Sequence, residues 1–470
     1  MKKSIVTTVL VVLGGLTAWG DDFEPATTAV ANMRVGWNLG NTLESNSGNV
    51  NNMWIEAWTS RTPSDYETAW GQPVATQELI KMFKEAGFNA IRVPVTWYPH
   101  MEATFSSVKW NNATNSLTAW DYANDPVGTK IQAAWMARVH EVVDYVISQG
   151  MYCILNVHHD TGEASTAWLR ADEAVYAQQK DRFEAIWKQI ADEFKDYGEH
   201  LLFEGYNEML DPYSSWCFAS FSGSTPNQDD KSYNATVAAS AYNAINSYAQ
   251  SFVSTVRATG GNNAQRNLIV NTYGACSGEG SWNTHLKDPL TQMTLPADNA
   301  GGHLIFEVHA YPSIKNGLTS AKSSVSAMMN SLQNLLASKG APVIIGEWGT
   351  ANDLVANTDD YDVRKADKVA FARYFVEQAK AKGIATFYWM GLSDGTHRSV
   401  PEFNQADLKD AIIKGYYGEE GYTDVDGMTA ETATAVPAAY YTLSGQKVSV
   451  PRRGVTIVQG KDGKVRKVAR

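Results

Sequence analysis

Eight short apolar runs recur between residues 34 and 390, and stretches of helical periodicity separate them. The runs are Arg34–Asn38, Ala90–Pro94, Tyr152–Val157, Leu201–Asn207, Leu268–Thr272, Leu304–Ala310, Val343–Glu347 and Ile384–Met390. Unbroken apolar runs of this length predict strands buried on both faces, the pattern of a parallel sheet. Between them, Gln77–Ala86, Ala133–Ser148, Tyr176–Asp196, Ala238–Ala258, Ser323–Ser338 and Arg364–Lys382 repeat apolar residues three and four apart, as amphipathic helices do. Eight strands alternating with helices point to the α/β class and to a (β/α)8 TIM barrel, whose chemistry sits at the C-terminal ends of the strands. A doubly wound open sheet is the alternative, but no GxGxxG or other phosphate-binding loop follows the first run.

Two of the runs deliver an acid to their end. Val343-Ile344-Ile345-Gly346-Glu347 is followed by Trp348 and Gly349, and Leu201-Leu202-Phe203-Glu204-Gly205-Tyr206-Asn207-Glu208 ends in a second glutamate. A carboxylate at the mouth of a buried strand costs free energy unless it is paired, hydrogen-bonded or used. A salt bridge would explain either one alone. Two glutamates on two strand ends form the arrangement that hydrolysis of a glycosidic bond needs, one carboxyl protonating the leaving oxygen and the other attacking the sugar carbon or activating water. Asn207 would add a hydrogen bond to a sugar hydroxyl.

The net charge of −11 argues against a nucleic-acid partner, which would call for a clustered basic face, and a neutral substrate is expected. Fifteen Trp and 22 Tyr offer flat rings for stacking on sugars as well as for a core. Residues 1–20 read as a secretory signal peptide: Lys2 and Lys3, an apolar run from Ile5 to Leu16, then Ala18-Trp19-Gly20 as a cleavage site. No stretch reaches the length of apolar sequence that spans a bilayer, so no membrane insertion is expected, and the product reads as secreted or held at the cell surface. Of three cysteines, Cys153 lies in a strand-like run and reads as a small buried hydrophobe, while Cys217 and Cys276 could pair after export. The adjacent His158 and His159 have no third ligand at helical spacing, so neither a metal nor another cofactor is expected. Two long inserts should shape a cleft, Glu44–Pro73 with Trp54, Trp58 and Trp70, and Tyr98–Asp125 with Trp110 and Trp120. At least one of these tryptophans is expected to stack on substrate.

Seven motifs at strand ends carry a family resemblance: Gly36-Trp-Asn-Leu-Gly-Asn-Thr-Leu-Glu44, Ile91-Arg-Val-Pro-Val95, Asn156-Val-His-His159, Asn207-Glu208, His309-Ala-Tyr311, Ile345-Gly-Glu-Trp348 and Tyr388-Trp389. With these in register, residues from about 30 to 415 resemble glycoside hydrolase family five, close to its endoglucanase branch. The resemblance implies a retaining mechanism with Glu208 as acid/base and Glu347 as nucleophile, the latter kept ionised by Arg92 and by a hydrogen bond from Tyr311. It also implies that Asn207 donates to the 2-hydroxyl of the reacting sugar, that His158 and His309 line that subsite, and that Trp389 lies under the sugar. Asn41 and His159 follow as further binding residues. Arg92 could instead pair with Glu204 or Glu307, two acids that share strand parity with Glu208 and His309 and read as structural. Met209 stands where many relatives have Pro.

The substrate implied is a β-1,4-glucan, with xyloglucan or β-mannan as alternatives for the same mechanism. A non-catalytic surface glycan-binding protein and a metal-dependent barrel hydrolase are the readings from other classes. The catalytic domain is expected over residues 21–420, and 421–470 as a linker and tail. Residues 441–470 hold eight Lys or Arg against one Asp. Their runs LSGQKV, PRRGVTIV and GKVRKV resemble the C-terminal sorting tail of proteins exported by the type IX secretion system, so a contact with secretion machinery is expected.

Overall fold

The computed structural model describes residues 23–105, 110–111, 116–117, 120, 126–221, 233–349, 364–422, 439–441, 447–448, 455–459 and 465–469. The signal peptide expected at 1–20 lies outside these residues. The chain divides into two compact units, one ending at Gly421 and one beginning at Tyr422.

The first unit is a closed eight-stranded parallel barrel. Its strands are β1 (Val35–Asn38), β2 (Ala90–Val93), β3 (Tyr152–Asn156), β4 (Leu201–Glu204), β5 (Leu268–Cys276), β6 (Leu304–Ala310), β7 (Val343–Trp348) and β8 (Ala385–Tyr388), each beside its sequence neighbours, with β8 closing on β1. All eight expected runs are strands, and the barrel reading holds. The expected helices are also present, at Gln77–Glu85, Ala133–Ile147, Glu173–Glu193, Ala235–Ala258, Leu318–Ser331 and Lys365–Ala381. Three of these starts carry a side-chain cap that satisfies first-turn N–H groups: Thr76 accepts from Leu79 at the first of them. Asp172 accepts from Ala174 and Val175, and Asn234 from Thr236 and Val237.

Period-two alternation divides the barrel interior into layers. The lower layer is apolar: Ala90, Ile154, Leu202, Ile269, Ile305, Ile344 and Phe387 form one buried cluster with Ala26, Ala29, Val30 and Met33 of the N-terminal helix Ala26–Met33. That helix plugs the bottom of the barrel. Gly36 of β1 makes room for the Phe387 ring, because a Cβ there would lie 2.2 Å from it. Two residues further along six of the strands, β1 to β6, the same face turns polar: Asn38, Arg92, Asn156, Glu204, Asn271 and Glu307 are all buried. The candidate site stands on this second layer.

At the bottom, Arg266 ties the turn before β4 to the start of β5 without an acid. Its guanidinium is buried and donates to the carbonyls of Phe194, Tyr197, Gly198 and Leu201 and to the Asn263 side chain, at 2.6–3.1 Å. Burial pushes its pKa down to about 9. The second unit is a four-stranded antiparallel sheet of Ala439–Tyr441, Lys447–Val448, Val455–Gln459 and Val465–Ala469, strongest along the last two strands, which pair over five positions.

Replacing Arg266 by Ala leaves several buried carbonyls without donors, at about 1–3 kcal/mol for each group that water cannot reach. A thermal melt of Arg266→Ala should fall by several degrees while kcat/KM at 25 °C stays near that of the unaltered chain. An unchanged melt would mean that these carbonyls are satisfied in another way.

Candidate active site

Arg92 projects from β2 into the polar layer and uses all five of its N–H groups. Nε and Nη2 donate to the two oxygens of Glu204 at 2.6 and 2.8 Å, a bidentate pair. Nη1 donates to Asn38 Oδ1 at 3.0 Å and to Glu347 Oε1 at 2.7 Å, and Nη2 also donates to Asn207 Oδ1 at 2.7 Å. The Glu307 carboxylate lies 3.3 Å from Nε. The alternatives left open for Arg92 in the sequence are therefore all realised at once: it faces Glu347, Glu204 and Glu307 together.

Glu347 closes β7. Its Oε1 takes the Arg92 bond and its Oε2 accepts from the Tyr311 hydroxyl at 2.6 Å. Burial works to raise its pKa, but His309, Arg92 and Tyr311 outweigh it and hold the carboxyl below the usual range. Glu208 lies in the loop after β4 with 21 % of its side chain open to solvent. Burial lifts its pKa, the neighbouring Glu347 adds to the rise, and His309 and Arg92 oppose it. Side-chain atoms of Glu208, His309 and Glu347 lie within 4.8 Å of one another. Two close carboxyls pushed in opposite directions are the acid/base assignment that retaining glycoside cleavage uses.

The remaining sequence-derived residues gather around this pair. His309 Nδ1 faces Glu208 Oε1 at 2.8 Å. His158 Nδ1 accepts from the Asn156 amide at 3.0 Å, which turns its Nε2 toward Glu347 Oε1, 3.9 Å away. Burial keeps His158 neutral, with His159 and Arg92 adding to the effect. Its ring lies parallel to that of Trp389, centroids 5.9 Å apart. Because Arg92 occupies the Asn207 oxygen, the amide NH2 of Asn207 is left as a donor. Asn41 is half-buried in the turn after β1, next to Gly40, where a Cβ would stand 3.0 Å from the Trp389 ring. Its backbone N–H and that of Thr42 donate to the buried Glu44 carboxylate. His159 is half-buried against Trp70, centroids 5.4 Å apart, and burial lowers its pKa to about 4.

Among the insert tryptophans, Trp70 alone of those described reaches a site residue in this way. Trp120 is buried on Tyr98 and Trp58 is 64 % exposed, while the Trp110 side chain lies outside the described residues. The pairing of Cys217 with Cys276, which the sequence left open, is not formed: both thiols are free. Cys276 Sγ turns instead to the Gly274 carbonyl, 3.7 Å away. Sequence reasoning missed the cavity beside Glu208 that these two cysteines line with Trp216, Ala275 and Tyr311. Its signal was the run Gly274-Ala275-Cys276-Ser277-Gly278, where Gly274 and Ala275 take positive φ and β5 slips register against β6.

Residues 53–394 match the family model of cellulases of glycosyl hydrolase family 5. The chain is 33 % identical over 406 residues to endoglucanase B of Neocallimastix patriciarum, covering 82 % of this chain and 71 % of the relative. Its fold is similar to that of a GH5-4 broad specificity endoglucanase from an uncultured bacterium, with a TM-score of 0.74, 52 % identity and coverage of 85 % and 98 %. It is also similar to a family 5 enzyme of Prevotella bryantii B14 solved in complex with a xyloglucan tetradecasaccharide, with a TM-score of 0.67, 36 % identity and coverage of 84 % and 99 %. With a barrel of the same topology and the glutamate pair at its mouth, the chain belongs to glycosyl hydrolase family 5, the cellulase family.

Proposed function

We propose that the chain is a secreted endo-β-1,4-glucanase that cleaves with retention, using Glu347 as nucleophile and Glu208 as acid/base. The observation that carries this reading is the opposed pair: an ionised Glu347 fixed by Arg92 and Tyr311, and a Glu208 whose pKa is raised, with side-chain oxygens within 4.8 Å. Glu347 attacks the anomeric carbon as the bond to the leaving oxygen breaks, and Glu208 gives that oxygen its proton. The product of this step is a glycosyl ester on Glu347. Glu208, now ionised, takes a proton from water, whose oxygen attacks the same carbon and releases Glu347. The two inversions restore the starting configuration. Asn207 supplies a donor to the 2-hydroxyl, and Trp389 a face for the reacting sugar.

The substrate reading rests on the relatives, which are named as endoglucanases, one of broad specificity and one bound to xyloglucan. We assign β-1,4-glucans as the main substrate and xyloglucan as a second. Mannan differs at the 2-hydroxyl that Asn207 would address, so it should be poor. A non-catalytic binding role is disfavoured because both carboxylates and all their partners are in place. Export is supported by the leader-like first 20 residues, and an address function for the tail by its basic LSGQKV, PRRGVTIV and GKVRKV runs.

Glu347→Gln should lose several orders of magnitude in kcat on carboxymethyl cellulose, since it removes a covalent path and not one contact. Near-normal turnover would exclude Glu347 as nucleophile. On a panel of carboxymethyl cellulose, mixed-linkage β-glucan, xyloglucan and mannan, reducing sugar should appear from the first three. Release from mannan at a comparable rate would remove the role given to Asn207. The kcat/KM profile should be a bell, with its acid limb below and its basic limb above the ordinary glutamate value of 4.5, because Glu347 is depressed and Glu208 raised. A single limb, or two limbs on one side of that value, would contradict the assignment.

A further inference from the structure

Glu307 is the one acid of the polar layer that the proposed reaction does not employ and that the Arg92 fork does not fully satisfy. It is completely buried on β6, two residues before His309. Its Oε1 lies 3.3 Å from His309 Nε2 and 3.3 Å from Arg92 Nε, while its Oε2 is buried with no hydrogen-bond partner. A buried acid so placed costs stability, and an apolar residue of like size would pack at least as well. The neighbouring strand nonetheless makes room for it. A Cβ at Gly346, the residue before Glu347, would fall 1.5 Å from Glu307 Oε1.

What Glu307 gains from this place is the far side of His309. The ring stands between carboxylates, with Nδ1 on Glu208 at 2.8 Å and 3.5 Å from Glu347, and Nε2 on Glu307 at 3.3 Å. Resting on the assignment of Glu208 as acid/base, we propose that Glu307 is a positioning residue that acts through His309: it takes the Nε2–H, holds the ring doubly protonated, and so sets how tightly Glu208 keeps its proton. The groups facing this chain are Arg92 from β2, His158 from β3, Glu204 from β4, Glu208 beyond it, Cys276 from β5, Tyr311 from β6 and Glu347 from β7. Arg92 and His309 are the cations among them, against four carboxyls. Burial opposes a charge on His309, yet Glu347, Glu208 and Glu307 raise its pKa to about 10. Glu307 itself is pushed up to about 7 by burial and by Glu204, against the pull of Arg92 and His309. Ionised, Glu307 sustains the His309 cation, and that cation, bonded to Glu208 Oε1, opposes the rise that burial gives the Glu208 carboxyl.

Glu307→Gln keeps the shape and an acceptor for Nε2–H but can never carry the charge. Its kcat/KM below pH 6 should stay within a few-fold of the unaltered enzyme, while the basic limb moves to higher pH by about one unit, because the weakened His309 cation no longer draws the Glu208 proton off. A role in packing alone would lower the melting temperature or kcat at every pH and leave the limb where it was. A folded Glu307→Gln with a superimposable profile overturns the proposal. Should the variant not fold, the unaltered enzyme labelled with 15N-histidine answers the question: His309 should still carry both ring protons at pH 8, and a neutral ring there overturns it equally. Glu208→Ala separates the underlying assignment. On an aryl cellobioside with a good leaving group it should lose the basic limb, with azide restoring turnover as the glycosyl azide. If it does not, the acid/base assignment fails; if it does and Glu307→Gln is silent, the inference about Glu307 alone fails.

Discussion

The active end of this barrel depends on one guanidinium. Arg92 is fully buried, and a lone buried cation would cost several kcal/mol. It is stable there because five N–H groups meet five acceptors from β1, from β4 and the loop after it, and from β7, with bond lengths of 2.6–3.0 Å. The same bonds fix the position of Glu347, the flip of Asn207 and the spacing of Glu204 from Glu307. Charge balance and geometry are thus one property here. Any change to Arg92 would release an acid into a dry interior as well as free Glu347.

The layered interior explains how a chain can place such a group. On β2, β3, β4, β5 and β6 an apolar residue of the lower layer precedes a polar one by two positions, as in Ile154 and Asn156, or Leu202 and Glu204. The apolar member, packed on the N-terminal helix, sets the height and register of the strand. The polar member then arrives at a fixed level with little freedom of its own. Rigid elements beneath a site are what keep its atoms within the tolerance that catalysis demands.

Much of this could be read from the chain before the fold was known. The strands were legible because runs such as Val343–Glu347 are apolar on both faces and end abruptly, and Glu347 and Glu208 stood out as acids where no acid belongs. The roles of Arg92, Tyr311 and His309 came from motif resemblance and not from periodicity. What stayed hidden is what depends on partners far apart in sequence. Spacing could offer Glu204, Glu307 or Glu347 to Arg92, but not all three at once, since that needs the barrel closed. The extension of β5 to Cys276 was hidden by the slip at Gly274 and Ala275, which hides the strand's second half from a period-two reading. The helix after β5 shrinks to Asp288–Gln292, too short to leave an amphipathic signature. Whether Cys217 and Cys276 pair is likewise a matter of tertiary geometry, which counting cysteines does not reach.

Two buried arginines sit at opposite ends of the barrel, and their partners differ in kind. Arg266 at the base is held by backbone carbonyls and an amide, none of which titrates. Arg92 at the mouth is held largely by carboxylates. Glu347, whose pKa is depressed in the folded chain, contributes stability that is present above the ordinary glutamate value and lost as pH falls through its folded one. Acid therefore slackens the barrel from the mouth downward, while the Arg266 seam at its floor has no partner that acid can protonate. The enzyme's tolerance of acid and its retention of shape are set by separate arginines, and a lineage or an engineer could retune one without touching the other.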